Sequence, residues 1–138
     1  MKLILYALLL FIPLLNVAQD TTWFNRELTP ADKAHAAFYR ITEKKAGVIS
    51  IKEYTINGKL QKLNEYLSLI PEIKNGRSIV YYENGGVKEM GFYKNNFKDS
   101  VWTLYDQYNN VSIQYLYEDK GMKVKVLQIS GNNPENKH

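Results

Sequence analysis

The side chains that could carry out catalysis are few and scattered. His35 and His138 are the only histidines, so a metal site or a Ser-His-Asp arrangement would have to be built around His35. The chain has no cysteine, which excludes disulfides, thiolate ligands and a cysteine nucleophile. Six carboxylates lie near Lys, Asn or Ser at expected turns, namely Glu83, Glu89, Asp99, Asp106, Glu118 and Asp119. No spacing among them singles out a catalytic pair. We therefore predict a protein that is not an enzyme, with no cofactor or metal residues and a surface or capping role for His35.

Tyrosine is the residue type with the most regular spacing, and the chain contains 11 of them. A row of aromatic rings beside lysines could stack on sugars, peptides or lipid headgroups. The same spacing would also serve the core of a repeat protein, and this is the interpretation that we favour. Adjacent Tyr81 and Tyr82 must point to opposite faces of a strand, which makes Tyr82 a candidate for surface contact. The candidate interaction surface consists of Tyr82, Trp102, Tyr108, Tyr115, Lys88 and Lys94.

The first 18 residues predict export. Lys2 precedes an apolar block over residues 3–15 that only Pro13 interrupts, and Ala18 then offers a small residue for cleavage. The block has about 13 residues, whereas a transmembrane helix needs about 20, so a retained membrane anchor and a buried N-terminal element are the weaker alternatives. We expect cleavage after Ala18 and a periplasmic or secreted mature chain.

The charge of the mature chain argues against nucleic acid as a partner. The whole sequence has 18 basic and 14 acidic residues, and removal of residues 1–18 takes away only Lys2. The remaining small positive excess is dispersed among acidic residues and forms no basic stripe.

The region before residue 47 predicts a lead-in and a short helix. Residues 19–29 are polar and have no clear period, although they contain Trp23 and Phe24. Thr29 could cap a helix that Pro30 begins and several alanines continue. We therefore predict a lead-in over 19–29 and a helix that ends near Tyr39.

The region after Gly47 predicts hairpins. Runs of β-branched and aromatic residues alternate with Asn-Gly or Asn-Asn pairs, which is typical of strands joined by tight turns. The first hairpin joins 48–54 to 60–67 through Asn57-Gly58, a pair that suits a type I′ turn. The others join 78–82 to 87–94 and 101–105 to 111–117, and a closing strand covers 122–129. The domain would cover 30–130, and the tail 131–138 is predicted to be disordered.

The three hairpins share one frame, which predicts an internal repeat. Each begins with a tyrosine, at Tyr54, Tyr81 and Tyr105, so the spacings are 27 and then 24 residues. Each return strand ends with a tyrosine 12 residues after the first. A period of this length with one hairpin per unit is typical of repeat arrays. We therefore predict an all-β fold, a twisted antiparallel meander of three repeated hairpins with a short N-terminal helix, in which the tyrosines stack in rows on one face.

The second copy resembles the bacterial variant of the MORN repeat, the unit of YwqK-like antitoxin components. Residues 81–96 read YYENGGVKEMGFYKNN and are followed by Trp102 and Tyr105. The resemblance covers about residues 54–122 and implies a β-repeat scaffold. The order of signal peptide, short helix and repeats is also similar to that of exported proteins of the Bacteroidetes type. Some copies depart from the family pattern of Asn and Gly, at Asn64, Tyr108, Asn109 and Tyr115.

These observations predict an exported, non-catalytic β-repeat scaffold that binds a protein or another component of the cell envelope. The resemblance implies a second function, the antitoxin component of a toxin-antitoxin system. A third is a module that binds membrane surfaces, which the mild positive charge permits.

Overall fold

The computed structural model describes residues 19–130 and shows nine β-strands there. The predicted signal peptide and the predicted disordered tail lie outside the described residues. No helix in the described range is long and apolar enough to cross a membrane. The strands are β1 (Gln19–Phe24), β2 (Phe38–Lys45), β3 (Val48–Thr55), β4 (Leu60–Leu69), β5 (Glu72–Tyr81), β6 (Val87–Lys94), β7 (Phe97–Tyr105), β8 (Val111–Glu118) and β9 (Lys123–Ile129).

All nine strands form one antiparallel sheet in which each strand pairs with the next one along the chain. The all-β class and the antiparallel meander are therefore confirmed. Strands β3 to β9 overlap the seven predicted strands, although β5 begins at Glu72 and β7 at Phe97, ahead of the predicted starts at 78 and 101. The meander is continuous, and it includes two strands, β1 and β2, that the sequence did not predict.

The predicted helix over residues 30–39 does not form, and its last residues belong to β2. Only a turn at residues 33–35 occurs there, and the Asp32 carboxylate accepts hydrogen bonds from the amides of Ala34 and His35. The Ala37 N–H donates a hydrogen bond to the Phe24 carbonyl, and the Ala37 carbonyl accepts one from the Ile56 N–H. Both backbone groups of Ala37 are therefore used in pairing with neighbouring segments and not in a helix. A short alanine segment forms too few helical bonds to offset nucleation, and pairing between strands prevails.

Within the predicted lead-in, residues 19–24 form the edge strand β1. This strand pairs with β2 from Gln19 opposite Glu43 to Phe24 opposite Phe38. Trp23 lies against Tyr39, with ring centroids 5.1 Å apart, and Tyr39 stacks on Tyr54 at 5.0 Å. Aromatic cross-strand pairs of this kind stabilise a sheet, and here they join β1 to β2 and β3.

Three turns at one end of the sheet have the same hydrogen bonds. In each turn, the first residue donates its backbone N–H to the carbonyl of the residue four positions later. Its own carbonyl accepts a hydrogen bond from the N–H of the residue three positions later. The first residues are Thr55, Tyr82 and Asp106, again 27 and 24 apart. At the fourth position φ is positive in all three, at Gly58, Gly85 and Asn109. The pairing register of the two strands shifts beside each turn, which marks a β-bulge. These are therefore bulged turns, and the type I′ turn predicted for Asn57-Gly58 does not form.

The tyrosines of the repeat frame lie on two faces of the sheet, which corrects the prediction of one face. Tyr66, Tyr93 and Tyr117, which end the return strands, share one face by register. The tyrosines that begin each hairpin lie on the other face, because the side chains of a strand alternate. Tyr54 stacks on Tyr39 there, and the Tyr105 hydroxyl reaches the Met90 sulfur at 3.4 Å.

The sheet is a single layer, and its buried core is small. Among the described residues, Tyr66 and Trp102 are the buried large side chains, at 7% and 3% exposure. Trp102 lies flat over Gly91, where any Cβ would overlap the indole ring, and its N–H donates to the Phe92 carbonyl at 3.0 Å. Glycine covered by a cross-strand aromatic is a known device of sheets. The position of Gly91 in the frame is therefore explained by packing.

Candidate functional site

A groove of about 430 Å³ crosses one face of the sheet, lined by side chains of β2 to β7. We call this face the groove face. The strands build it because alternate residues project to the same side, as in Lys62, Asn64 and Tyr66 of β4. The charged residues of the groove are Arg40, Glu53, Lys62, Glu72, Lys74, Glu89 and Lys98.

Ion pairs between neighbouring strands hold most of the charged groups of the groove. Glu53 on β3 accepts a hydrogen bond from Arg40 at 2.8 Å, and the Lys62 ammonium lies 3.8 Å from its other oxygen. On the other side of the groove, Lys98 donates to Glu89 at 3.0 Å. These pairs join β2 to β4 and β6 to β7, so they fix the side chains before any ligand arrives.

Two of the three aromatic rings that line the groove, those of Tyr93 and Trp102, are covered by cations. The Lys98 ammonium lies 3.8 Å from the ring centre of Trp102 and 5.4 Å from that of Tyr117. Lys74 lies in the same way 5.2 Å from the centre of Tyr93. Cation–π contacts use the negative face of the ring. The groove therefore presents ammonium groups and hydroxyls, with little bare ring face.

Two polar side chains form the floor of the groove. The Ser78 hydroxyl is buried and donates to Asn64 Oδ1 at 2.8 Å. Tyr66 lies beside them, and burial, followed by the charge of Glu72, raises the pKa of its phenol above the ordinary value of 10.0. The phenol therefore stays protonated at neutral pH and can donate a hydrogen bond into the groove.

Of the predicted interaction residues, only Trp102 lines the groove, where it is buried at 3% exposure. Its ring lies on the floor under Lys98 and packs edge-on against Tyr93, with centroids 5.1 Å apart. Tyr115 is half-buried beside it, opposite Trp102 in the register and on the same face. Trp102 therefore presents no free ring to solvent.

The other four predicted residues lie at the ends of the strands. Tyr82 is half-buried, because its hydroxyl donates to the Tyr105 carbonyl at 2.7 Å. Lys88 is exposed, with its ammonium 5.8 Å from the Tyr82 ring centre. Tyr108 is 87% exposed at the tip of the turn after β7. Lys94 lies at the far end of β6 in a separate cavity of about 290 Å³. The structure does not bring these residues together with Trp102 as one surface.

His35 makes a local contact at the surface. Its Nδ1 lies 2.9 Å from the Asp32 carboxylate, three residues away in the same turn. Hydrogen bonds from His35 hold the pKa of Asp32 below its ordinary value of 3.8. Among the described residues, no group of three or more His, Asp or Glu side chains is placed to hold a metal ion. The pair therefore stabilises the turn before β2.

Sequence reasoning missed most of the groove, although one signal was present. Arg40 lies directly after the segment predicted as a helix, and Glu53, Lys62 and Lys74 are not among the predicted interaction residues. Because side chains alternate between the two faces of a strand, the sequence alone could have placed the polar residues of β4 and β5 on one face. The ion pairs across strands depend on register, which only the structure supplies.

No family model, curated protein or solved structure matches this chain. The resemblance to the MORN-repeat variant therefore stays a prediction that depends on the residues quoted for it.

Proposed function

We propose that this chain is an exported, non-catalytic scaffold whose groove binds an extended segment of a partner protein in the cell envelope. The observation that carries the proposal is the groove of about 430 Å³, which crosses six neighbouring strands on one face of the sheet. The signal-like residues 1–18 support export.

The dimensions of the groove suit a polypeptide. Six strands at the usual spacing extend over roughly 24 Å, which about seven residues of extended chain would cover. Its walls carry both signs of charge at fixed positions, for example Glu53 with Arg40 and Glu89 with Lys98. Complementary charges along such a path select for sequence and register in a bound segment.

Carbohydrate and membrane ligands fit the groove less well. Sugars stack on bare ring faces, but ammonium groups lie over the rings of Trp102 and Tyr93. Anionic membranes attract unneutralised basic clusters, whereas Arg40, Lys62 and Lys98 each lie within 4.0 Å of a carboxylate. A protein segment with both polar and apolar side chains needs neither a bare ring face nor a cluster of unpaired cations.

Two adjacent aromatic residues on β6 provide a matched test. Tyr93 lines the groove, while Phe92 is exposed on the opposite face. A photo-crosslinking benzoylphenylalanine would be placed at one position or the other, and cells expressing each variant would be irradiated. We expect a protease-sensitive crosslinked species from position 93 and at least a tenfold weaker one from position 92.

Three outcomes would contradict the proposal. They are equal labelling at both positions, labelling confined to position 92, and labelling of lipid alone at position 93. If the trapped polypeptide is a toxin, the antitoxin function becomes the correct one among the protein-binding alternatives.

A further inference from the structure

One end of the groove contains a tyrosine hydroxyl that is free to meet a ligand. Tyr66 is 7% exposed as a residue, but its hydroxyl is open to the groove and is not a buried atom, since Gln61 Nε2 is the buried side-chain polar atom without a partner among the described residues. A phenol O–H that faces an open groove can donate a hydrogen bond to a ligand acceptor. Tyr66 lines the groove, where that acceptor would lie.

Lys74 lies directly opposite Tyr66 in the register of β4 and β5. Its ammonium lies over the Tyr93 ring, and among the described residues no carboxylate lies within 4.0 Å of it. The other three cations of the groove each have such a carboxylate. Among the four cations of the groove, Lys74 is therefore the one that has no carboxylate at ion-pair distance.

Glu72 also lines the groove, and its carboxylate would compete with an incoming anion for Lys74. Its charge contributes to the raised pKa of Tyr66, although burial contributes more. It forms no ion pair with Lys74 within 4.0 Å. The groove as a whole has four cations against three carboxylates, so one negative charge from a ligand would balance it.

We propose that Lys74 and Tyr66 form a subsite that binds a carboxylate of the partner segment, either an Asp or Glu side chain or a chain terminus. The ammonium supplies the charge and the phenol supplies a directed hydrogen bond, a combination that makes strong, short contacts to an oxyanion. This inference rests on the proposed function, since a protein segment supplies carboxylates as its commonest anions. It assigns the acidic position of the partner to the end of the groove between β4, β5 and β6.

The test compares two peptide probes with the purified protein by calorimetry at low salt. One probe is the acetylated, amidated hexapeptide Ser-Glu-Ser-Glu-Ser-Glu, and the other replaces each Glu by Gln. We expect the acidic probe to bind at least tenfold more tightly. Lys74→Met and Tyr66→Phe should each weaken the acidic probe by about tenfold and leave the neutral probe within about twofold, as expected for a charge-assisted hydrogen bond.

Lys62→Met is the matched control, because it removes the same charge from the same groove. We expect it to change the affinity of the acidic probe by less than threefold, and the circular dichroism of all three variants should match that of the parent. An equal effect of Lys62→Met and Lys74→Met would overturn the subsite in favour of general attraction. Displacement of the acidic probe by inorganic phosphate at equal concentration would overturn the choice of a carboxylate.

Failure of this inference is distinguishable from failure of the proposed function. If both probes bind equally and neither Lys74 nor Tyr66 matters, while crosslinking through position 93 persists, the groove binds a partner without a carboxylate subsite. If crosslinking through position 93 is absent and the acidic probe still depends on Lys74, the subsite exists and the protein partner is wrong.

Discussion

Strands β7 and β9 have similar apolar content and opposite burial. Strand β7 contains Trp102 at 3% exposure and Thr103 at 6%, whereas all seven residues of β9 are exposed. Yet β9 has Val124, Val126, Leu127 and Ile129 within those seven residues. Hydrophobicity along the chain therefore does not decide which strand is buried.

The difference comes from neighbours. Strand β7 has a partner on each side, and Gly91 on β6 leaves room for the Trp102 ring to lie against the sheet. Strand β9 pairs only with β8, so its side chains are covered from one side. A single-layer sheet has no second layer to cover its side chains, so the neighbouring strands supply most of the burial. Lys123 and Lys125 keep this apolar edge soluble, as edge lysines do in other sheets.

The largest test of this comparison is removal of the Trp102 side chain. Trp102→Ala should destabilise the fold by about 3 kcal/mol, because it removes a large buried ring and its hydrogen bond to Phe92. The measurement is urea unfolding followed by circular dichroism. If this variant does not fold, Trp102→Phe keeps part of the ring and should show an intermediate loss.

The control is the next residue along β7. Val101 is 39% exposed and projects from the opposite face, so Val101→Ala should cost less than about 1 kcal/mol. Equal losses for Val101→Ala and Trp102→Ala would mean that the burial of the indole contributes little to the stability of the sheet.

The same contrast explains how far the sequence alone predicted the fold. Strands β3 to β9 were predictable because alternation and turn residues are local signals. Strand β2 was missed because its preceding alanines and Pro30 suggest a helix, and only pairing of Ala37 with Phe24 and Ile56 overrides that preference. The burial of Trp102 depends on Gly91, 11 residues away, and no local pattern contains that information.

The second test compares an inner ion pair with one at the edge. Glu65 on β4 is 13% exposed and accepts three hydrogen bonds from Arg77, while Asp119 and Lys123 form an exposed pair beside β9. We expect Arg77→Met to cost about 1 kcal/mol at pH 7 and Lys123→Met to cost almost nothing.

The inner pair should also depend on pH. Burial alone would raise the pKa of Glu65, but the hydrogen bonds and charge of Arg77 outweigh it and hold this pKa below the ordinary 4.5. Stability from the pair is therefore present above pH 4.5 and is lost as the pH falls through the folded pKa. The difference between the parent and Arg77→Met, measured by urea unfolding, should shrink from pH 7 to pH 3. A constant difference would assign the loss to packing of the Arg77 stem.

A further test at the edge of the sheet decides whether β9 is free in solution. Val80 on β5 and Val126 on β9 both project from the groove face, with neighbours on two sides and one side respectively. Val80→Ala should cost about 1 kcal/mol, and Val126→Ala less than about 0.5 kcal/mol because Val126 is 49% exposed. Both are measured by urea unfolding at several protein concentrations. Equal and concentration-dependent losses would show that another strand covers β9, because burial of Val126 requires a neighbour that the isolated chain lacks.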